Sequence, residues 1–334
     1  MIRAGIVGMG WWGQMLVDSV QGRSDVIRVT AGHTRTPAKA QAYAKAKGIA
    51  MAASFEELLA DSSIDAIILA TPHSEHATQL VKAAAAGKHI YTEKPFTLDV
   101  ASTDTALAAI DKAKVTLGIS FQRRFHPSMI ELRKRVKSGA LGTIDYVTAE
   151  MSTSTALAMP KEYWRANPKE TPAGAMTGIG VHIVDGMIDL FGEIAEVTCI
   201  NARRAAPNAD DTTAVLLQHK SGVVGTFTGC FATIPFYRFS VAGSGGNGEI
   251  YGHFLDTLTV TPLPQGKPGG TLANVSEVID NKGYNMLGAA LETFARCVME
   301  KKPFPITPGE IRHGVQVFDA IVRSAAERRT VTVG

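Results

Sequence analysis

Residues 5–14 read GIVGMGWWGQ, and the reading of this stretch decides the fold. Gly8, Gly10 and Gly13 stand in the spacing G-x-G-x-x-G. A glycine triplet alone says little. This one leaves an apolar run suited to a buried strand, IRAGIVG, and opens a helical stretch, which is the context that gives the spacing meaning. There the glycines permit a tight turn and the close approach of a pyrophosphate, whose charge the free N–H groups and dipole of the helix start would stabilise. The competing reading is a glycine-rich structural turn. Trp11 and Trp12 follow directly: one is read as packing and the other as shielding a nicotinamide, against a structural role for both.

Outward from that turn, two patterns alternate. IRAGIVG, VIRVTAG, DAIILAT, KHIYTE and VTLGISF are short runs rich in Ile and Val, suited to buried parallel strands. Helical stretches such as PAKAQAYAKAK and SEHATQLVKAAAAG lie between them, the second ending in Gly87 where a helix C′ residue belongs. Ser54 and Glu57 have the spacing of a capping box. The alternation predicts a doubly wound α/β domain over residues 1–122. Beyond a basic helix, HPSMIELRKRVKSG, the pattern changes to β-prone segments separated by glycine, proline and asparagine. Residues 123–334 are therefore expected to form an α+β domain with a large, mostly antiparallel open sheet, closed by two helices. The run Arg133, Lys134, Arg135, Lys137 is read as the solvated face of its helix.

Composition excludes several classes. With 34 basic and 31 acidic side chains in 334 residues, nothing points to nucleic acid or a membrane surface as a partner. Three scattered cysteines, Cys199, Cys230 and Cys297, have neither disulfide nor zinc spacing, so a reducing cytoplasm is expected and no metal. No signal peptide or membrane-spanning run is read from the sequence.

The cofactor signal follows the second strand, in AGHTRTPAK. An NAD site usually places an acid there for the ribose 2′-hydroxyl, whereas an NADP site supplies a cation. Here stand His33, Thr34, Arg35 and Thr36, with no acid. Thr34 and Arg35 suit a 2′-phosphate, so NADP is preferred and NAD is the alternative; solvent-facing residues before a helix are the plainer reading. At the end of the fifth strand, YTEKPF puts Glu93, Lys94 and Pro95 at the carboxyl edge of the sheet, where α/β domains bind ligands. Further on, residues 174–185 read GAMTGIGVHIVD. His182 there is a packed core residue, a metal ligand or a proton carrier, and no further ligands with metal spacing accompany it.

Together, the glycine turn, the EKP triplet, PAGAMTGIGVHIVD and the β-rich segment after it resemble the Gfo/Idh/MocA oxidoreductases. The resemblance covers nearly the whole chain. It implies a Rossmann domain, an open-sheet domain, and hydride transfer between NAD(P) and a sugar, cyclitol or related hydroxyl compound. It places Lys94 on the active-site lysine, His182 on the family histidine and Glu93 in an orienting role. Thr71 and Pro72, followed by His73 and His76, fall where the family meets the nicotinamide side, and His76 also reads as a helix-start or packing residue. Association as a homodimer or homotetramer through the second-domain sheet is implied as well. One position departs: where many members carry an aspartate four residues before the histidine, this chain has Gly178.

With a nicotinamide domain and Lys94 available, the acid/base reading of His182 becomes the best one, since its unperturbed pKa lies near neutrality. Asp185, three residues on, shares a helix face with it and is read as orienting the imidazole or packing. Gly178 and Gly180 are expected to let the backbone approach a substrate. Arg123 and Arg124 in QRRFHP, and Tyr163, Trp164 and Arg165 in EYWR, are candidate contacts for a ring and an anion, with interdomain salt bridges and a packed tryptophan the alternative. The expected function is an NAD(P)-dependent oxidoreductase acting on a small cyclic hydroxy or carbonyl compound. An acidic or aromatic-derived ring substrate, or a non-catalytic NADP-binding sensor, stands as the alternative.

Overall fold

The computed structural model describes residues 1–263 and 275–334, which divide into two units. The first comprises Met1–Gln122 and Asn285–Val315. In chain order it holds β1 (Ile2–Val7), α1 (Trp11–Val20), β2 (Ile27–His33), α2 (Pro37–Lys47), β3 (Ala50–Met51), α3 (Phe55–Ala60), β4 (Ala66–Leu69), α4 (His76–Ala85), β5 (His89–Thr92), α5 (Val100–Ala113) and β6 (Leu117–Ile119). The strands form one parallel sheet in the order β3-β2-β1-β4-β5-β6. Helices cover both faces of such a sheet, which is why β4 and β6 are buried at every position and read as continuous apolar runs. The strand order reverses at β1, between β2 and β4, and ligands of doubly wound sheets bind at that switch point.

Local signals hold where the sequence places them. Ser54 Oγ accepts the Glu57 N–H at 3.0 Å to start α3, and Glu57 reaches back to the N–H of Ala53. Gly87, with φ of 70°, follows the end of α4 in the left-handed conformation. β3 has no counterpart among the expected strands, because two residues are too short to show a period.

The second unit comprises Arg123–Tyr284 and Gln316–Gly334. It holds α6 (Pro127–Lys137), β7 (Ile144–Ser152), α7 (Val181–Phe191), β8 (Ile194–Ala202), β9 (Thr212–His219), β10 (Val224–Cys230), β11 (Phe236–Gly243), β12 (Gly246–Tyr251), β13 (Thr257–Pro262) and β14 (Glu277–Asp280). After α8 (Met286–Glu300), which belongs to the first unit, come α9 (Pro308–Glu327), which begins in the first unit and ends in the second, and β15 (Val331–Thr332). The nine strands run β14-β13-β12-β11-β7-β10-β9-β8-β15, antiparallel except for the parallel pair β7 and β10. Alternate residues of this sheet, including Val147, Met151, Phe227, Tyr237 and Phe239, are buried. α7 packs on that side, where Gly186 faces the Phe239 ring. Tyr146, Leu216, Val224 and Tyr251, out of phase with the buried set, are exposed.

Two expectations change. Residues 285–315 group with the first unit, whereas the sequence division assigned all of 123–334 to the second. The cause is packing: Phe294 of α8 lies 5.6 Å from the Tyr91 ring, centroid to centroid, and Asn285 donates to the Ser19 carbonyl at 2.8 Å. The basic run on α6 is also not uniformly solvated. Arg133 pairs with buried Asp189 at 2.6 Å and Arg135 with Glu131 at 2.6 Å, while Lys134 stays exposed.

Candidate active site

In the first unit, the carboxyl ends of β1, β2, β4 and β5 lie on one edge of the parallel sheet. Gly8 follows β1 with φ of 93°, and a Cβ there would overlap the carbonyl of Ala70 after β4. A Cβ on Gly13 would overlap the Gly8 carbonyl, so this glycine lets α1 seat against the turn. Gly10 differs: a Cβ there would meet no atom within 4 Å. It is the N-cap of α1, no side chain caps it, and the first turn carries no acid. Open space at the bare N-terminus of a ten-residue helix fits a dinucleotide pyrophosphate in shape and charge.

Trp11 is 70% exposed, whereas the Trp12 indole N–H is buried without a hydrogen-bond partner; their rings lie 5.6 Å apart. At the end of β2, His33 Nδ1 contacts the Ala52 carbonyl at 3.2 Å, Thr34 is half-buried and Arg35 is exposed. Thr71 and Pro72 turn away from β4, and Thr71 Oγ1 donates to Gln79 at 2.6 Å. Glu93 and Lys94 follow β5, and both are buried. The Glu93 amide donates to the Leu69 carbonyl at 2.9 Å, which extends the strand ladder up to the lysine.

The His76 ring is held by backbone. It is fully buried, with Nδ1 2.8 Å from the Pro95 carbonyl and Nε2 3.2 Å from the Thr71 carbonyl. Both ring nitrogens are therefore occupied by backbone. Burial drives its pKa down, against the pull of the two carbonyls and Glu93. Its place is between the turns after β4 and β5, which it ties together.

In the second unit, His182 lies in the first turn of α7 and is buried. A π-helical turn, Met176–Gly180, leads into it. The two glycines of that turn do not leave room for a substrate. A Cβ on Gly178 would overlap the tip of the Phe231 ring, and one on Gly180 would come within 2.6 Å of the Met176 sulfur. Phe231 thus fills the space beside the backbone one turn before His182, and an acidic side chain at 178 has no room. Among the described residues that wall is hydrocarbon.

Asp185 and Arg124 form a buried ion pair. The Arg124 Nε and Nη2 donate to the Asp185 carboxylate at 2.7 to 3.0 Å, and Nη1 reaches Asp189 at 3.5 Å. Arg133 completes the group on Asp189. Asp185, read as orienting the imidazole or packing, and Arg124, read as an anion contact or a salt bridge, are bound to each other. They fix α7, on which His182, Asp185 and Asp189 share a face. Asp189 escaped the sequence reading, although the three- and four-residue spacing of 182, 185 and 189 was its signal, and Arg133 was read only as part of a solvated face. Trp164 and Arg165 also contact one another, the guanidinium lying 4.6 Å from the indole centroid.

Arg123 behaves differently from its neighbour. It is 7% exposed, stacks 4.9 Å from the centroid of the Tyr237 ring, and places Nη2 3.4 Å from the Met151 sulfur. Tyr237 was legible only as part of a strand.

Two family models match the chain. One, described as oxidoreductase family, NAD-binding Rossmann fold, covers residues 2–121, and the GFO/IDH/MocA C-terminal domain covers 129–249. An inositol 2-dehydrogenase of Rhizobium meliloti (strain 1021) is 24% identical over 338 residues, 99% of each chain. A trans-1,2-dihydrobenzene-1,2-diol dehydrogenase of Homo sapiens is 30% identical over 222 residues, 66% of this chain and 65% of its own. A solved structure of levoglucosan dehydrogenase in complex with NADH and levoglucosan shares the fold with a TM-score of 0.87 at 19% identity, covering 99% of both chains.

The buried ion pair has a measurable consequence. Replacing Asp185 with Ala leaves Arg124 short of a partner in a dry site and should cost about 3–5 kcal/mol of stability. Denaturant titration checks this through the midpoint. A variant with an unchanged midpoint but lost turnover would instead assign Asp185 to the chemistry.

Proposed function

The chain belongs to the GFO/IDH/MocA family of oxidoreductases, and from that premise we propose that it transfers hydride between NADP and a carbon–oxygen bond of a small cyclic substrate. The observation that carries the reading is Lys94, buried at the carboxyl end of β5, on the same sheet edge as the glycine turn. Relatives named for inositol and for a dihydrobenzenediol support a ring substrate.

The nicotinamide, when bound, supplies or accepts the hydride. The chain supplies the rest. The turn at Gly8, Gly10 and Gly13 and the start of α1 hold the pyrophosphate, with Trp11 and Trp12 next to it. Thr34 and Arg35 hold the 2′-phosphate, NAD being the alternative cofactor. Thr71, Pro72 and Glu93 line the nicotinamide side. Lys94, as a cation, stabilises the alkoxide that develops as the hydroxyl proton is taken and from which hydride then departs, or polarises the carbonyl in the reverse direction. His182 takes or returns the hydroxyl proton. Trp164 and Arg165 are proposed substrate contacts. The competing reading, a sensor that binds NADP without chemistry, draws support from the hydrocarbon wall that Phe231 makes before His182.

The exposed Tyr146, Leu216, Val224 and Tyr251 on the second unit's sheet support a homodimer or homotetramer joined through that face. Light scattering at micromolar concentration that returned the mass of one chain would overturn this.

Replacing His182 with Asn, or Lys94 with Ala, should lower turnover by roughly a hundredfold or more while cofactor affinity stays close to that of the parent. The assay is a panel of polyols, sugars and ring diols followed by nicotinamide absorbance; a His182→Asn variant with unchanged turnover would sink the site. Arg35→Ala should weaken NADP selectively. Equal losses for NAD and NADP, or an initial preference for NAD, would remove the NADP assignment.

A further inference from the structure

Adjacent arginines in QRRFHP meet opposite electrostatic fates. Arg124 is neutralised by Asp185 and Asp189. Arg123, equally buried, has no carboxylate partner among the described residues, and residues 264–274 contain no Asp or Glu. Its Nε is buried without a hydrogen-bond partner, and so is the hydroxyl of Tyr237, the ring beneath it. Burial depresses the Arg123 pKa and only Tyr237 works the other way, yet a guanidinium keeps its proton in a protein. A desolvated charge with an unused donor is costly, and one stacking contact on a tyrosine does not offset that cost. A small anion would offer acceptors to both donors: the guanidinium carbon lies 4.9 Å from the centroid of the ring that bears the hydroxyl.

We propose that Arg123 and Tyr237 form an anion pocket in the second unit, and that the substrate carries a carboxylate on its ring. A single carboxylate matches the one cation in charge, and it accepts from Nε and from the phenol hydroxyl. A phosphate dianion would bring a second negative charge toward Asp185, whose carboxylate already acts on the Tyr237 hydroxyl. The proposal narrows the substrate class of the dehydrogenase reading and rests on that reading's assignment of the substrate to this unit. It leaves the roles of Lys94 and His182 unchanged.

The test is calorimetric and uses the full chain saturated with NADPH. Cyclohexanecarboxylate is titrated against cyclohexanecarboxamide, which has the same shape and no charge, with inorganic phosphate as a third probe. The carboxylate should bind at least tenfold more tightly than the amide or phosphate. Arg123→Met should abolish that preference and raise the melting temperature of the ligand-free protein, because an uncompensated buried charge is gone. Tyr237→Phe, which keeps the ring, should weaken carboxylate binding severalfold without lowering the melting temperature. Equal binding of carboxylate and amide would overturn the pocket. So would tighter binding of phosphate, or a preference that survives in Arg123→Met alongside a lowered melting temperature, the signature of a purely structural arginine. Turnover of neutral ring polyols in preference to ring hydroxy acids would also remove the pocket's role in substrate choice while the hydride-transfer reading stands. A carboxylate preference in a protein that turns over no ring hydroxy acid or polyol would remove that reading and keep the pocket.

Discussion

The carbonyl oxygen of Gly8 occupies the space where a side chain at position 13 would begin, and the carbonyl of Ala70 does the same for Gly8. These two backbone approaches set everything at the carboxyl edge of the first sheet. They seat α1 against the end of β1, keep its uncapped N-terminus open at Gly10, and hold the turn after β4 against the turn after β1. Backbone overlap of this kind cannot be relieved by a rotamer change, so glycine is required at both positions. His76 continues the same construction one strand further, since its ring joins the Thr71 and Pro95 carbonyls and so couples the β4 turn to the segment carrying Lys94.

The second unit uses a different device. α7 is apolar on almost every side and would be free to rotate in a purely hydrocarbon setting. Two aspartates on one of its faces meet two arginines, one before α6 and one on it. Ion pairs in a dry interior add little net stability over well-packed hydrocarbon, but they specify one arrangement because any other leaves a buried charge without its partner. The face so fixed is the one that carries His182.

Phe231 supplies the counterpart in shape. Its ring tip fills the space over Gly178, so a side chain there would require the Phe231 ring to move. Nearby chemistry is thereby shifted from carboxylate to aromatic hydrocarbon, while Arg123, stacked on Tyr237, contributes a cation that its neighbours do not balance.

The sequence by itself determined the alternation of strand and helix in residues 1–122, the glycine turn, the caps at Ser54 and Gly87, and the change to β structure beyond residue 122. These are set by near neighbours in the chain, through backbone freedom at glycine, side-chain caps and the period of buried positions. The short or weakly patterned strands β3, β12, β14 and β15 escaped it, because two-residue, glycine-rich or exposed edge strands are formed by pairing rather than by their own propensity. Tertiary structure alone decided which of two adjacent arginines is compensated, since the deciding aspartates lie on a helix far along the chain. It alone also returned residues 285–315 to the first unit and set Phe231 against Gly178. Such contacts depend on which surfaces meet once the chain has folded, and no local pattern records them.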